Sequence, residues 1–173
     1  MSKQVVPCPV PVDCQLAPLL HNADFHGAYR LPDPLPQASA LESWLALSAR
    51  TPAWMNGLMA LRNRAVRLVG LKHLGDSLQA RSAKPAAAYR VGDRVGIFTL
   101  EALSEQEVVL GDDDKHLHVR LSLRKQRIEG RALLTLSTVV HNHNRLGRVY
   151  MAVVGPVHSL IVPLMLRQVS HVD

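Results

Sequence analysis

The hydrophobic period of this chain changes twice along its length, and that order restricts the fold more than any single motif. From about Ala40 to Val69 apolar residues recur three and four apart; from about Val95 to His143 they recur every second residue; from Leu146 to Leu166 almost every residue is apolar. The order predicts a pair of helices, then an antiparallel meander, then one long closing helix. An alternating sheet has one apolar face to bury, and the closing helix is its expected cover. The predicted class is α+β, a helix-grip: a curved antiparallel sheet wrapped around a long C-terminal helix, with two short helices after the first strand.

With 173 residues, 47% of them hydrophobic, there is material for one substantial core and not for two. Residues 1–14 read as a flexible Pro-rich leader, interrupted by Pro7, Pro9 and Pro11, and residues 15–173 as the single domain. The prolines break any apolar helical core, so the leader is not read as a secretory signal. Cys8 and Cys14 are the only cysteines and form no disulfide framework, which fits a reducing cytoplasm.

Charge is unevenly placed. Residues 1–114 hold 11 Lys/Arg against 12 Asp/Glu, whereas residues 115–172 hold nine Lys/Arg against Glu129 alone. Such a basic third suits an anionic partner, whether nucleic acid, acidic lipid, acidic protein or small anion, or is simply a solvated face. Nucleic acid is the weakest of these options, because aromatics are 4% and no helix-turn-helix, zinc-finger or aromatic RNA-binding pattern is present.

Local signals set the elements. Leu16 to Asn22 predicts a short helix, and Phe25 to Leu31 a first strand ended by Pro32, Pro34 and Pro36. Ser39 or Ala40 opens a helix through Ala49. Thr51 caps a second, with Pro52 at its first position and Gly70 at its end, expected to bury Trp54, Met55, Leu58, Met59, Leu61, Ala65, Val66 and Val69. Residues 75–90 read as loop. Val95 to Ala102 and Glu107 to Leu110 predict strands, and Gly111 to Asp114 a tight turn that accounts for the three adjacent aspartates without a metal.

The next hairpin has a predictable register. His116 to Arg124 alternates, and a turn at Glu129 and Gly130 places Leu123 opposite Leu136, Leu121 opposite Thr138, Val119 opposite Val140, His118 opposite His141 and His116 opposite His143. The parity that turns Leu117, Val119, Leu121 and Leu123 inward sends His116, His118, His141 and His143 to one outer patch, a weak zinc candidate. The last segment, Val149 to Leu166, has 18 residues without a formal charge, the lower limit for a membrane span. Gly155-Pro156, Pro163, His158 and Ser159 interrupt it, so it reads as a core helix kinked near Pro156 and not as an integral span.

Three blocks then carry a resemblance: Thr51-Pro-Ala-Trp-Met-Asn-Gly-Leu-Met-Ala-Leu-Arg-Asn-Arg through Val69-Gly70-Leu71-Lys72, then Gly111-Asp-Asp-Asp-Lys-His-Leu-His, then His143-Asn-Arg-Leu-Gly-Arg-Val-Tyr. In order and content these resemble the bacterial domain of unknown function 2867, over roughly residues 15–168. The resemblance implies no catalytic residues. Members of that family also occur fused behind NAD-binding short-chain-dehydrogenase-like domains; this chain has no Gly-rich dinucleotide loop and calls for no cofactor. The topology is similar to the lipid-transfer (START) and polyketide-cyclase superfamily, a fold that hosts several functions.

The resulting expectation is a small, largely apolar molecule bound between sheet and last helix, lined by Trp54, Met55 and Met59, by Phe98, Leu121 and Val140, and by Tyr150, Val154, His158, Ile161 and Met165. Two alternatives stand beside it. One is a non-catalytic module partnering an oxidoreductase, with a filled interior and an exposed apolar patch; the other is a cyclase- or hydrolase-like enzyme, for which His158 with Tyr150 is the only pairing the sequence offers.

Overall fold

The computed structural model describes residues 4–50, 52–67 and 84–170. It is an α+β fold built on one open, curved antiparallel sheet of seven strands, as a helix-grip requires. The strands are β1 (Val6–Cys8), β2 (Phe25–Pro32), β3 (Arg94–Val95), β4 (Phe98–Leu103), β5 (Glu107–Asp113), β6 (Leu117–Ile128) and β7 (Arg131–Asn142), in the spatial order β1-β2-β7-β6-β5-β4-β3. Among the described residues three α-helices accompany it, α1 (Ala40–Ala49), α2 (Ala53–Arg67) and α3 (Arg145–Ser170), with single 3-10 turns at Ala17–Leu20 and Ala86–Ala88.

The β6–β7 hairpin has the predicted register throughout, from Ile128↔Arg131 at the turn to Leu123↔Leu136, Leu121↔Thr138, Val119↔Val140 and His118↔His141. Glu129 and Gly130 both have positive φ, 50° and 76°, the geometry of a two-residue turn whose twist matches the strands it joins. Ser39 caps α1 in a full capping box: its hydroxyl accepts from the Glu42 amide at 3.2 Å and its own amide donates to the Glu42 carboxylate at 2.7 Å.

Parity then sorts the sheet. Leu121, Leu123, Leu134, Leu136, Val108, Leu110, Leu100 and Leu31 join the main core on one face, which α3 covers over β2 and β7 and α1 covers over β5 and β6. The cover is therefore shared, where the sequence reading gave it to the last helix alone. Two corrections concern strand ends. The predicted strand 95–102 is split by a turn at Gly96 (φ 64°) into β3 and β4. The aspartates predicted in a tight turn extend β5 to Asp113, so Asp112 faces inward opposite Val119 while Asp113 faces outward opposite His118.

The leader is not separate from the domain. Residues 6–8 pair with β2, Val5 joins the main core, and Val10, Cys14 and Leu16 pack with Ala28, Val109 and Val139 on the outer face of the sheet. The sequence signal was present in the parity: Ala28, Val109 and Val139 form a small apolar patch on the supposedly solvated side, and it takes cover from the chain nearest to it. Ionic contacts fix the cover, since Arg124 bonds Asp13 and the Gln15 amide donates to Glu107 at 3.0 Å.

The two apolar helices are less buried than their composition predicted. On α2, Trp54, Leu58 and Leu61 are exposed (Leu61 at 65%), because this helix makes little contact with the sheet. Thr51, Val69 and Gly70 lie outside the described residues, and so do the burial states of Ala65 and Val66. Helix α3 runs unbroken through both Pro156 and Pro163. Pro163 has no N–H for the Ser159 carbonyl four residues earlier, and the Tyr29 hydroxyl donates to that carbonyl instead, at 3.1 Å. A defect in the helix thus becomes its attachment to β2.

Candidate functional site

The face between α3 and the sheet is built from alternate residues of β2. Phe25, Gly27, Tyr29 and Leu31 point the same way, paired with Val140, Thr138, Leu136 and Leu134 of β7. Phe25 meets the ring of His158 edge-on, with centroids 5.6 Å apart at 83°, and lies 3.5 Å from where a Cβ on Gly155 would sit. Gly155 is buried against Phe25, and a methyl group there would make only ordinary van der Waals contact. Tyr29 is tied to Ser159 as described. Between these two anchors stands Gly27, and a Cβ added there would meet no heavy atom within 4 Å. The side of Gly27 that faces the helix is open space, walled by Phe25 and Tyr29 along the strand and by Thr138 across it.

Around this recess the predicted lining residues fall into two groups. Leu121 and Val140 are buried on the helix-facing side of the sheet, and Val154, His158, Ile161 and Met165 are half-buried on α3. Met165 packs against the main core. The others are not gathered here. Phe98 stacks edge-on with Trp44 of α1, 6.2 Å between centroids. Trp54, Met55 and Met59 lie on α2, with Trp54 exposed and the methionines half-buried. Burial holds the His158 imidazole below the ordinary histidine range, so at neutral pH it is an uncharged ring that can donate or accept one hydrogen bond.

Tyr150 belongs to a different constellation at the start of α3. The Asn144 side chain accepts from the Gly147 amide at 3.0 Å, capping the helix, and donates to the Lys115 carbonyl at 2.9 Å. Gly147 sits directly on the chain before β6, where a Cβ would fall 2.1 Å from the His116 carbonyl oxygen. The Tyr150 ring meets His116 edge-on at 5.2 Å, and His116 Nδ1 lies 3.2 Å from the Asp114 carboxylate. On the outside His143 Nε2 donates to Asp113 at 2.8 Å, a bond that holds the Asp113 carboxyl below the usual range. The aspartate run and the His143-to-Tyr150 stretch are two halves of one clamp that seats the N-terminus of α3 on the β5–β6 turn.

This geometry corrects the four-histidine patch. His118 and His141 do share the outer face, but His116 is 1% exposed and packs against Tyr150 on the helix side. Alternation holds only inside a strand; β6 begins at Leu117, so His116 belongs to the turn and is free of the parity rule. Among the described residues no three His, Cys, Asp or Glu side chains converge as a metal would require. Outer-face charges pair with each other instead: Glu101, whose carboxylate fills the space over Gly111, accepts from Arg120 at 2.5 Å and lies 3.6 Å from His118. The pairing of His158 with Tyr150 is also not formed. They stand eight residues apart on α3, about 12 Å along its axis, and each rings against a different partner.

Sequence reasoning missed Lys125. Its ammonium is buried on the core parity and donates to the carbonyls of Leu35 (2.6 Å) and Ala38 (2.5 Å) and to the Ser43 hydroxyl (3.1 Å), with the buried Asp33 carboxylate 3.1 Å away. The signal was its odd number: following Leu121 and Leu123, position 125 points inward. Its role is to fold the Pro-rich stretch before α1 over the end of the sheet, beside a shallow depression of about 410 Å³ lined by Pro34 to Ala38 and Glu42.

Compared with known proteins, residues 19–165 match the model of a family described as protein of unknown function (DUF2867). No curated protein and no solved structure matches the chain.

Proposed function

The chain belongs to the DUF2867 family, and from that premise and the geometry above we propose that it binds a small, largely apolar molecule between α3 and the sheet. One observation carries the reading: the open space in front of Gly27, lying between Phe25, which meets His158 of α3, and Tyr29, which bonds Ser159 of α3, with Thr138 across the strand pair. A filled core does not leave a strand glycine facing its covering helix with nothing within 4 Å. The walls are mainly apolar, with a neutral imidazole, a threonine hydroxyl and a phenol as the few polar groups that would orient a ligand.

Half-burial of Val154 and Ile161 supports entry from the edge of α3. The lining expected from Trp54, Met55, Met59 and Phe98 is no part of this reading. Chemistry on the bound molecule, in a cyclase- or hydrolase-like manner, would rest on His158 alone. Two free cysteines, one of them buried, agree with a reducing, cytoplasmic setting. The test is native mass spectrometry of protein purified from cells. The expected result is a co-purifying small molecule that is lost on denaturation and absent from Gly27→Leu. Bare protein in every preparation, together with no uptake of a neutral apolar probe, would overturn the reading.

A second reading, a non-catalytic module that engages an oxidoreductase, draws on the exposed Trp54, Leu58 and Leu61 of α2. These recur at helical spacing on one face, as a docking stripe does. Loss of pull-down by a candidate dehydrogenase after Leu61→Glu would support it.

A further inference from the structure

Helix α3 is apolar all round yet has only one face to bury. Gly155, Val162 and Leu166 turn toward the sheet; Leu146, Val149, Val153, Val157, Leu160 and Leu164 stand on the opposite side at helical spacing, each 36–70% exposed. Only 17% of the most apolar stretch of Arg145–Arg167 is buried, although that segment has the length and composition of a membrane-crossing helix. A helix with this composition is normally enclosed. The six side chains form a continuous ridge about 27 Å long, larger than the isolated apolar residues that monomer surfaces carry.

Charge says what covers it. Helix α3 has arginines in its first turn (Arg145 and Arg148, both exposed) and Arg167 in its last, and no acidic residue. Of the other basic residues in this part of the chain, the exposed Lys115 adjoins the helix start, its carbonyl accepting from Asn144, whereas Arg120 and Arg124 lie on the far face of the sheet paired with Glu101 and Asp13. A second copy laid along the ridge would bring arginine clusters of like sign together in either orientation. The ridge also exposes on the order of 500 Å², short of the roughly 800 Å² per partner that a specific protein interface buries. An anionic bilayer has neither problem: its headgroups pair with the arginines, and its acyl boundary takes up a ridge one side chain deep. Spanning is disfavoured by the opposite face, which is committed to the sheet through Tyr29, Phe25, Val162 and Leu166.

We propose that α3 docks the domain onto an anionic membrane surface, lying in the headgroup plane with the Leu146-to-Leu164 ridge inserted and Arg145 and Arg148 on the lipid phosphates. The inference rests on the outer side of α3 and is independent of what occupies the space in front of Gly27. The test is co-sedimentation of the full chain with vesicles of phosphatidylcholine alone and of phosphatidylcholine mixed equally with phosphatidylglycerol. Binding is expected to the mixed vesicles, at least about tenfold weaker to neutral ones, and released when salt is raised to about 0.5 M, where screening is nearly complete. Arg145→Gln with Arg148→Gln, and separately Val153→Glu with Leu160→Glu, should each weaken it by about tenfold or more without lowering the melting temperature. If the glutamate pair prevents folding, the salt series and the arginine pair decide alone. Absence of binding to both vesicles overturns the proposal. So does a dimer in sedimentation velocity that replaces vesicle binding, which makes the occupant a second copy, and so does binding that survives both high salt and alkaline carbonate, which makes α3 an inserted span.

Discussion

Gly147→Ala is the sharpest test of how α3 is seated. Alanine is the better helix former by about 1 kcal/mol in a helix interior, so propensity alone predicts a gain. The structure predicts the reverse. The added Cβ would lie 2.1 Å from the His116 carbonyl oxygen, 3.1 Å from its carbon and 3.2 Å from Asn142 Oδ1. Two of these three atoms are backbone at the mouth of a strand pair, where His143 donates to that same carbonyl at 2.9 Å, so no rotamer change relieves the overlap. The helix start has to lift by about 1 Å, which strains the Asn144 bonds to Lys115 and Gly147 and opens the His116–Tyr150 contact. Overpacking of this kind costs about 1–3 kcal/mol and each weakened hydrogen bond about 1 kcal/mol. After the propensity gain the net loss is about 2–4 kcal/mol, read as a lower urea midpoint with unchanged slope. Gly57→Ala in α2, where an added Cβ meets nothing within 4 Å, is the control and should gain about 0.5–1 kcal/mol. A Gly147→Ala protein as stable as wild type, or more so, would refute the clamp.

Three further outcomes follow from the same geometry. Tyr29→Phe removes the donor to the Ser159 carbonyl that Pro163 leaves open and should cost about 0.5–1.5 kcal/mol in chemical denaturation, while Tyr29→Phe in a Pro163→Ala background should cost less, because the helix then bonds that carbonyl itself. Lys125→Met leaves the buried Asp33 carboxylate with the Leu35 amide as its remaining bond and takes the donor from two carbonyls, and should cost about 2–4 kcal/mol, toward the lower part of the range for breaking a buried pair. For His158 the folded state disfavours the proton, so its contribution to stability is complete above the unfolded value of about 6.5 and is lost as pH falls below it; the difference in melting temperature between pH 7.5 and 5.5 should therefore be smaller in His158→Leu than in wild type.

Much of the fold was legible because it rests on period and turn chemistry. The β6–β7 register followed from Glu129 and Gly130, and the start of α1 from Ser39, both local signals. What was not legible depended on events at strand ends and on third parties. His116 escaped the parity rule by one residue, Gly96 divided a strand whose alternation continued across it, and the outer face acquired a cover from a leader whose prolines predict no regular structure. Helical period located the apolar faces of α2 and α3 but could not say that the sheet, shared with α1, has room for only one side of α3. The recess is legible in retrospect as one residue, the glycine between Phe25 and Tyr29, yet a strand glycine reads equally as a bulge or a close approach until its surroundings are known.

The most direct measurement of the central claim is titration of wild type and Gly27→Leu with a neutral, apolar fluorescent probe such as N-phenyl-1-naphthylamine, with Leu160→Glu as a control for adsorption to the outer ridge of α3. The account predicts saturable binding of one probe per chain by wild type and by Leu160→Glu. It predicts at least a tenfold loss in Gly27→Leu at an unchanged or higher melting temperature, since the leucine fills space that is open. Equal binding by all three proteins, or a Gly27→Leu chain that melts several degrees lower, would contradict it: in the first case the probe sits elsewhere, and in the second the space beneath α3 is already full.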